Sequence, residues 1–229
     1  MTEYAGRKTR IALLVPSSNT VMENDLHAAL PKQKFNVHTG RMYLVETTRE
    51  AEIAMIENYA PKAADDLGTV KPDVLVFGCT SAGSLFGLAY DREVCATLGK
   101  RAGCPTLGVI SAVNAALDRM GAKRLAVITP YNEDLTKAVA DAAASGEREV
   151  IASYGMGITD NVALADPTPA EIVAFAKQKL QGKSFDGLFV SCTNFRAYEA
   201  KAALAETFGV EVVTSNSATI EAIERFAAA

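Results

Sequence analysis

The sequence predicts an α/β fold of two pseudo-symmetric lobes, each a mostly parallel sheet flanked by helices, with a cleft between them. Two observations predict this fold. Short, continuous apolar runs alternate with longer segments of helical spacing, which is typical of parallel strands covered on both faces. Two sequence blocks also recur at nearly one offset, which an ancient internal duplication explains.

The recurring blocks carry the apolar runs of the two predicted lobes. Segment 73–80, Asp-Val-Leu-Val-Phe-Gly-Cys-Thr, is matched by segment 186–193, Asp-Gly-Leu-Phe-Val-Ser-Cys-Thr, at an offset of 113 residues (73 to 186). Segment 10–16, Arg-Ile-Ala-Leu-Leu-Val-Pro, is matched by segment 124–130, Arg-Leu-Ala-Val-Ile-Thr-Pro, at an offset of 114 residues (10 to 124). Each lobe therefore ends one buried strand in a cysteine.

The first lobe is predicted from apolar runs and helical spacing. Its strands are expected at 11–15, 35–45, 74–77 and 105–110. Its helices are expected at 19–30, at 48–67 with Thr48 as N-cap, at 84–100 with a break at Gly87, and at 111–120 with Ser111 as cap. We assign residues 1–115 to this lobe and expect the final helix, 216–229, to pack back on it.

The second lobe, residues 116–215, repeats this scheme. Its strands are expected at 125–128, 149–154, 188–190 and 211–213. Helices are expected at 133–144, 169–181, 197–208 and, closing the chain, 217–228.

Composition excludes several classes of protein. The chain of 229 residues has a formal charge of −4 and no cluster of basic residues, which argues against a nucleic-acid partner. No apolar run approaches the roughly 20 residues of a membrane span, and no secretory signal opens the chain, so we expect a cytoplasmic protein with reduced cysteines. Two histidines and the absence of Cys-x-x-Cys argue against a metal site and a thioredoxin-like site.

Cys79 and Cys192 are the strongest candidates for chemistry. Parallel sheets bind ligands beyond the carboxyl ends of their strands, so the active site is expected in the cleft, between these two thiols. Opposed thiols supply a nucleophile with an acid/base partner, and a helix start can lower a thiol pKa. A single buried cysteine is more often inert packing, but the recurrence favours function. Cys95 and Cys104 have no such counterpart, and we interpret both as packing residues.

Polar residues beyond the other strand ends are candidates for substrate binding. Segment 16–20, Pro-Ser-Ser-Asn-Thr, places hydroxyls and an amide at a helix start, where a carboxylate is favoured; plain N-capping is the alternative. Tyr131 lies at the equivalent position of the second lobe, as a hydrogen-bond donor or a half-buried turn aromatic. Asn161 follows strand 149–154, as a ligand or an ordinary Asx turn.

These residues together are similar to those of a known family. Segment 15–20, Val-Pro-Ser-Ser-Asn-Thr, with Met22-Glu23, Cys79, Tyr131, Asn161 and Cys192, resembles the maleate cis–trans isomerase family. That family belongs to the aspartate/glutamate racemase superfamily, with the arylmalonate decarboxylases and the ectoine-utilisation proteins. The resemblance covers nearly the whole chain. It implies two lobes, no cofactor, Cys79 as nucleophile, Cys192 as partner acid/base, and Asn19, Tyr131 and Asn161 on the substrate carboxylates.

The sequence also departs from the family pattern. Isomerases of this family tend to have apolar residues after the first cysteine, where this chain has Thr80 and Ser81, as the racemases and ectoine-utilisation proteins do. Arylmalonate decarboxylases lack the first cysteine, so that activity is not expected. The residues expected to bind substrate are Ser17, Asn19, Thr80, Ser81, Tyr131, Asn161 and Thr193.

The resemblance and the paired thiols predict an isomerase of a small dicarboxylate, of the maleate-to-fumarate type, acting through a covalent thiol adduct. One alternative is a two-thiol racemase of an amino acid or hydantoin that works by proton transfer. Another is a carboxylate-binding protein without turnover. A small dicarboxylate is the expected partner, without nucleic acid or membrane, and a homodimer or higher homo-oligomer is expected because closed symmetric assemblies are common.

Overall fold

The two predicted lobes are present in the computed structural model, which describes residues 6–228. The strands of the first lobe are β1 Thr9–Pro16, β2 Phe35–Met42, β3 Val74–Phe77 and β4 Thr106–Gly108. Its helices are α1 Met22–Ala29, α2 Arg49–Ala54, α3 Ala60–Gly68, α4 Thr80–Ser84, α5 Leu88–Ala102 and α6 Val109–Met120.

The second lobe repeats this succession of elements. Its strands are β5 Arg124–Thr129, β6 Glu149–Gly155, β7 Gly187–Val190 and β8 Glu211–Thr214. Its helices are α7 Glu133–Ala143, α8 Pro169–Leu180, α9 Ala197–Phe208 and α10 Ser215–Ala228, with a 3₁₀ turn at Ala163–Ala165.

The two sheets have the same topology. Their strand orders are β2-β1-β3-β4 and β6-β5-β7-β8, and all neighbouring strands are parallel. The second order is the first with four added to each number, so the recurring sequence blocks occupy equivalent strands. The predicted two-lobed α/β fold is confirmed.

The central strand of the first sheet shows how the lobes are joined. Ile11, Leu13 and Val15 are fully buried in a hydrophobic core that also contains residues of β5. Leu14, which points to the opposite face, packs with Phe77 in a separate cluster. Since both faces of β1 are covered, its sequence is apolar at every position from 11 to 15. The core shared by the two lobes fixes the strand ends relative to one another.

The recurring aspartates have a structural role at the opposite end of each sheet. Asp73, just before β3, accepts a hydrogen bond from the backbone N–H of Arg10 at 2.8 Å. Asp186, just before β7, accepts one from the backbone N–H of Arg124, also at 2.8 Å. Each carboxylate thus ties the start of its own strand to the central strand beside it.

The predicted helix 48–67 is interrupted. Thr48 caps its start as predicted, accepting a hydrogen bond from the backbone N–H of Ala51 at 3.3 Å. A π-helical turn, Met55–Tyr59, then separates α2 from α3. Pro61 explains the interruption, because proline has no N–H to continue the α-helical bonding pattern.

Other boundaries shift by a few residues. The predicted strand 35–45 ends at Met42, and a short helix, α4, replaces the predicted loop after Cys79. The break at Gly87 is confirmed, with φ of +81°. The N-cap of α6 is Gly108 and not Ser111. The Ser111 hydroxyl donates instead to Asp91 at 2.5 Å.

The final helix, α10, packs against α6 and α1. The side-chain amide of Asn216 donates to Asp25 of α1 at 2.7 Å, which ties the last helix to the first. The domain boundaries at 115/116 and 215/216 stay a prediction. None of the helices in residues 6–228 combines the length and apolar character needed to cross a membrane.

Candidate active site

The two cysteines occupy equivalent positions. Cys79 lies two residues beyond the end of β3, and Cys192 two residues beyond the end of β7. Both are buried, with 4% and 3% of their surfaces exposed. The two thiols lie close enough to interact electrostatically. A negative charge on Cys192 raises the pKa of Cys79, and negative charges on both cysteines raise the pKa of Tyr131. The duplicated strand ends therefore bring both thiols to one site.

Cys79 is the N-cap residue of α4. Its Sγ lies 3.7 Å from the hydroxyl oxygen of Ser81, and the backbone N–H of Ala82 also points at it. Burial nevertheless raises the pKa of Cys79, outweighing the hydrogen bonds that lower it. The prediction that a helix start lowers this pKa is wrong for the closed site, because desolvation is the larger effect.

Cys192 is held in strained backbone geometry. Its φ is +99°, in the left-handed region that residues with a Cβ rarely adopt. Its backbone N–H donates to the Ser215 hydroxyl at 3.0 Å, and its Sγ accepts from the backbone N–H of Asn194 at 3.2 Å. Burial raises the pKa of Cys192 to about 12, opposed by hydrogen bonds from Tyr131 and Asn194. Such strained residues cluster at functional sites, which agrees with the choice of Cys192 as a candidate.

Tyr131 follows β5 and is buried between the lobes. Its backbone N–H donates to the Thr129 hydroxyl at 3.1 Å, which fixes the turn that carries the ring. Burial raises the pKa of Tyr131 well above its usual value. The phenol is therefore a neutral hydrogen-bond donor beside the thiols, as expected from its position.

Asn19 both binds the backbone at the start of α1 and faces the second lobe. Its Oδ1 accepts from the backbone N–H groups of Val21 and Met22, at 3.1 and 3.0 Å, whereas α1 has Val21 as N-cap and neither Ser17 nor Ser18 caps it. Its Nδ2 donates to the Thr193 hydroxyl at 3.1 Å, and that hydroxyl donates to the carbonyl of Gly78 at 3.1 Å. Asn19 and Thr193 are thus joined across the lobes, next to both cysteines.

Thr80 takes part in a second contact between the lobes. Its hydroxyl donates to the Ser215 hydroxyl at 2.9 Å, and Ser215 also accepts from the backbone N–H of Cys192. The residue after the first cysteine is thereby linked to the backbone of the second.

Ser17 is directed away from this arrangement. Its hydroxyl is bonded to the backbone of Leu44, accepting from N–H at 3.1 Å and donating to the carbonyl at 3.3 Å. Asn161 instead donates to Ser18, at 2.6 Å. Of these neighbouring serines, the one that meets the second lobe is Ser18, which the sequence analysis did not select.

Asn194 was also missed. Its Oδ1 accepts from the backbone N–H of Thr20 at 2.7 Å, and its Nδ2 donates to the carbonyl of Asn161. The signal available in the sequence was its position directly after Cys192 and Thr193, one residue beyond the recurring block 186–193.

Glu52 is the third residue that was missed. It lies on α2, is fully buried, and its Oε1 is hydrogen-bonded to the Ser81 hydroxyl. Burial raises the pKa of Glu52 to about 8, although the bond from Ser81 and the charge of Arg49 lower it. The available signal was a carboxylate on the buried stripe of a helix, one turn before Met55.

Two loops close the site. We call residues 45–47 and 159–161 the clasp, because backbone bonds join them across the lobes. The backbone N–H of Thr47 donates to the carbonyl of Thr159 at 2.8 Å, and that of Asn161 to the carbonyl of Val45 at 2.9 Å. Cys79 and Cys192 are both buried, and neither lines one of the five surface cavities found on the described residues. We expect opening of the clasp to admit reagents to the two thiols.

Within residues 6–228, no group of three or more His, Cys, Asp or Glu side chains is arranged to hold a metal ion. Cys95 is buried in α5 and Cys104 is half-buried beyond it, both as free thiols.

Comparison with known proteins identifies the family. The family model described as arylmalonate decarboxylase matches residues 11–228. A maleate isomerase of Pseudomonas putida is 31% identical, over 93% of this chain and 90% of that protein. The chain belongs to the family of arylmalonate decarboxylases and maleate isomerases. It is an enzyme of the isomerase class, and the resemblance found in its sequence is confirmed.

Solved structures of this family share the fold. The maleate isomerase Iso(C200A) from Pseudomonas putida S16, solved with maleate, has a TM-score of 0.87 at 24% identity, covering 95% of this chain and 91% of that one. A maleate cis-trans isomerase variant from Nocardia farcinica has a TM-score of 0.87 at 22% identity, covering 96% and 93%. That variant carries a cysteine-to-serine change and a covalently bound succinylcysteine intermediate.

Proposed function

We propose that this protein converts a small cis-dicarboxylate of the maleate type to its trans isomer, with Cys79 as nucleophile and Cys192 as its acid/base partner. The observation that carries the proposal is the convergence of two buried thiols with a neutral phenol and neutral amides. The succinylcysteine in the Nocardia farcinica relative supports a route through a thiol adduct.

The chemistry begins at Cys79. Its thiolate adds to one alkene carbon, and the electron pair of the double bond moves into the adjoining carboxylate as an enediolate. The carbon–carbon bond is then single and rotates. Return of the electron pair expels the thiolate and leaves the trans alkene. If the enediolate takes a proton from Cys192, the adduct becomes a succinyl thioether, and Cys192 must remove that proton before elimination.

The substrate carboxylates are bound by neutral groups. Among the described residues the one buried cation, Arg148, is engaged with Asp118 and Asn114 outside this site. The donors available to the enediolate are Asn19, Asn161, Tyr131 and the hydroxyls of Thr80 and Thr193, while the single hydroxyl proton of Ser81 is shared between Glu52 and Cys79. Preorganised donors of this kind stabilise charge that develops during reaction, and each is worth about 3 kcal/mol of barrier.

Proton NMR of maleate incubated with the enzyme tests the proposal. We expect fumarate to appear, C79A to abolish it, and C192A to lower the rate about 10²-fold or more. C95A is the matched control, because Cys95 is a buried thiol inside α5 that belongs to the same hydrophobic cluster as Cys79 but does not follow a strand end. Turnover by both active-site variants at the wild-type rate would refute the two-thiol mechanism.

A two-thiol racemase is the second candidate, because Thr80 and Ser81 replace the apolar residues of the isomerases. In that reaction one thiolate removes an α-proton and the opposite thiol returns one. Deuterium oxide separates the two reactions. A racemase places deuterium on Cα of recovered amino acid or hydantoin, and it leaves maleate unchanged.

A further inference from the structure

A carboxyl group, a hydroxyl and a thiol form a row in the first lobe. Glu52 Oε1 is hydrogen-bonded to the Ser81 hydroxyl, whose oxygen lies 3.7 Å from Cys79 Sγ. The other carboxyl oxygen, Oε2, is buried and has no partner among the described residues. An ionised carboxylate in this position would leave one charged oxygen unsatisfied, which is costly.

We infer that Glu52 is a positioning residue that stays protonated in the working enzyme and, through the Ser81 hydroxyl, stabilises the thiolate of Cys79. The inference rests on the proposed function only in taking Cys79 as the nucleophile. The protonated carboxyl donates from Oε1 to the Ser81 oxygen, and the Ser81 hydroxyl then donates to the sulfur. Ionisation of Glu52 reverses the row, because Ser81 must then donate to the carboxylate.

The charges around Glu52 agree with this arrangement. On its own helix, Arg49 is the cation that acts on it, but that guanidinium donates to the carbonyl of Leu85 at 3.3 Å instead of pairing with the carboxyl. From the elements packed against it, an ionised Glu52 would raise the pKa values of Cys79, Cys192 and Tyr131. Keeping the carboxyl neutral therefore removes a charge that opposes the thiolate, and it supplies a donor in its place.

The rival roles for Glu52 predict different behaviour. If its carboxylate were the base that removes the thiol proton, the isosteric amide of E52Q would be inactive. If its carboxyl were packing alone, E52Q and E52L would leave Cys79 equally reactive. A neutral donor predicts a third pattern, in which Gln replaces Glu and Leu does not.

Alkylation of Cys79 by iodoacetamide, followed by peptide mass spectrometry, measures thiolate without any substrate. At about pH 7, where Glu52 is protonated and places no charge near either thiol, each rate is divided by that of Cys192 in the same sample, which corrects for clasp opening. At about pH 7 we expect E52Q within a few-fold of wild type, and E52L and S81A about tenfold slower. E50Q is the matched control, since Glu50 is exposed on the same helix.

The pH dependence of Cys79 alkylation is the second test of the inference. Thiolate, and with it alkylation, rises about tenfold per pH unit below the pKa of a thiol. In wild type we expect this rise to flatten above about pH 8, where Glu52 ionises, whereas in E52Q it continues. The kcat/KM for maleate should fall above the same pH in wild type and not in E52Q.

Three results would overturn the inference: profiles of wild type and E52Q that coincide above about pH 8, an E52Q rate as low as that of E52L, or an E52L rate equal to wild type. Thermal melts at about pH 6 show which variants are folded, and S81A breaks the row without altering the carboxyl. Alkylation needs no dicarboxylate, so it decides the role of Glu52 even if maleate is not turned over. If the wild-type enzyme forms no fumarate from maleate, the proposed function is overturned, and the inference about Glu52 is not.

Discussion

Replacing Glu52 by Gln should change how the stability of the fold depends on pH. The pKa of Glu52 rises from 4.5 in the unfolded chain to about 8 in the folded one, because the carboxyl is buried. A raised folded pKa means that the folded protein holds the proton more tightly. The stabilisation is present below about pH 4.5, and it is lost as the pH rises toward 8.

The size of the effect follows from these two values. Each pH unit well inside this range removes about 1.4 kcal/mol from the free energy of unfolding, and the slope is smaller near the two pKa values, so roughly 3–4 kcal/mol is lost between about pH 5 and pH 8. In E52Q this loss is absent, because an amide does not titrate. Other groups, including Asp25 with a pKa raised to about 6 by burial, titrate alike in both proteins and cancel in the comparison.

Urea unfolding at about pH 5, 6, 7 and 8 measures the difference directly. We expect the stability of E52Q relative to wild type to improve steadily with pH, whatever its value at about pH 5. E50Q should parallel wild type, since Glu50 is exposed. Equal pH dependence in wild type and E52Q would mean that Glu52 is not a buried acid, and the argument for its neutral form would fail.

Two further predictions concern the clasp and the strand starts. Thr47→Ala removes the hydroxyl that donates to the carbonyl of Thr159 at 2.9 Å, so both active-site thiols should be alkylated about fivefold faster, with the melting temperature little changed. Slower or unchanged alkylation would mean that the clasp does not limit access. Asp186→Ala removes the acceptor of the backbone N–H groups of Lys123 and Arg124, two residues that are exposed to water, and urea unfolding should show a loss of about 0.5–1.5 kcal/mol. A loss below about 0.5 kcal/mol would contradict the role given to the recurring aspartates.

The fold was predictable because its determinants are local and repeated. Five consecutive apolar residues between Arg10 and Pro16 fit a strand buried on both faces, and the same pattern recurs from residue 124. The sequence did not predict the π-helical turn before Ala60, since a proline inside a helical pattern marks a disturbance without fixing its form. The predicted start of α6 was wrong for a different reason. The Ser111 hydroxyl donates to Asp91, a contact that depends on tertiary packing, instead of capping the helix.

The site was predictable only where it follows strand ends. Cys79 and Cys192 stand directly after apolar runs, so topology alone brings them together. Glu52 lies on a helix far earlier in the chain, and its contact with Ser81 depends on how α2 packs on α4. The raised pKa of Cys79 could not be predicted from the sequence either. The sequence shows the helix start, which lowers a thiol pKa, but not the depth of burial, which raises it.

Under the proposed function, the orientation of the amides explains how a site that holds no buried cation among residues 6–228 can favour an anion. The Oδ1 of Asn19 is committed to the first turn of α1, which leaves its Nδ2 to face Thr193 and the second lobe. The same logic holds for Asn194, whose Oδ1 accepts from the backbone of Thr20 while its Nδ2 points back toward the clasp. Because backbone N–H groups occupy the oxygens, these side chains offer donors. A carboxylate that replaces their present partners exchanges one hydrogen bond for a charge-assisted one, which is the stronger kind. Binding then favours acceptor-rich anions over neutral analogues, since an analogue that lacks the acceptor leaves a buried donor unsatisfied.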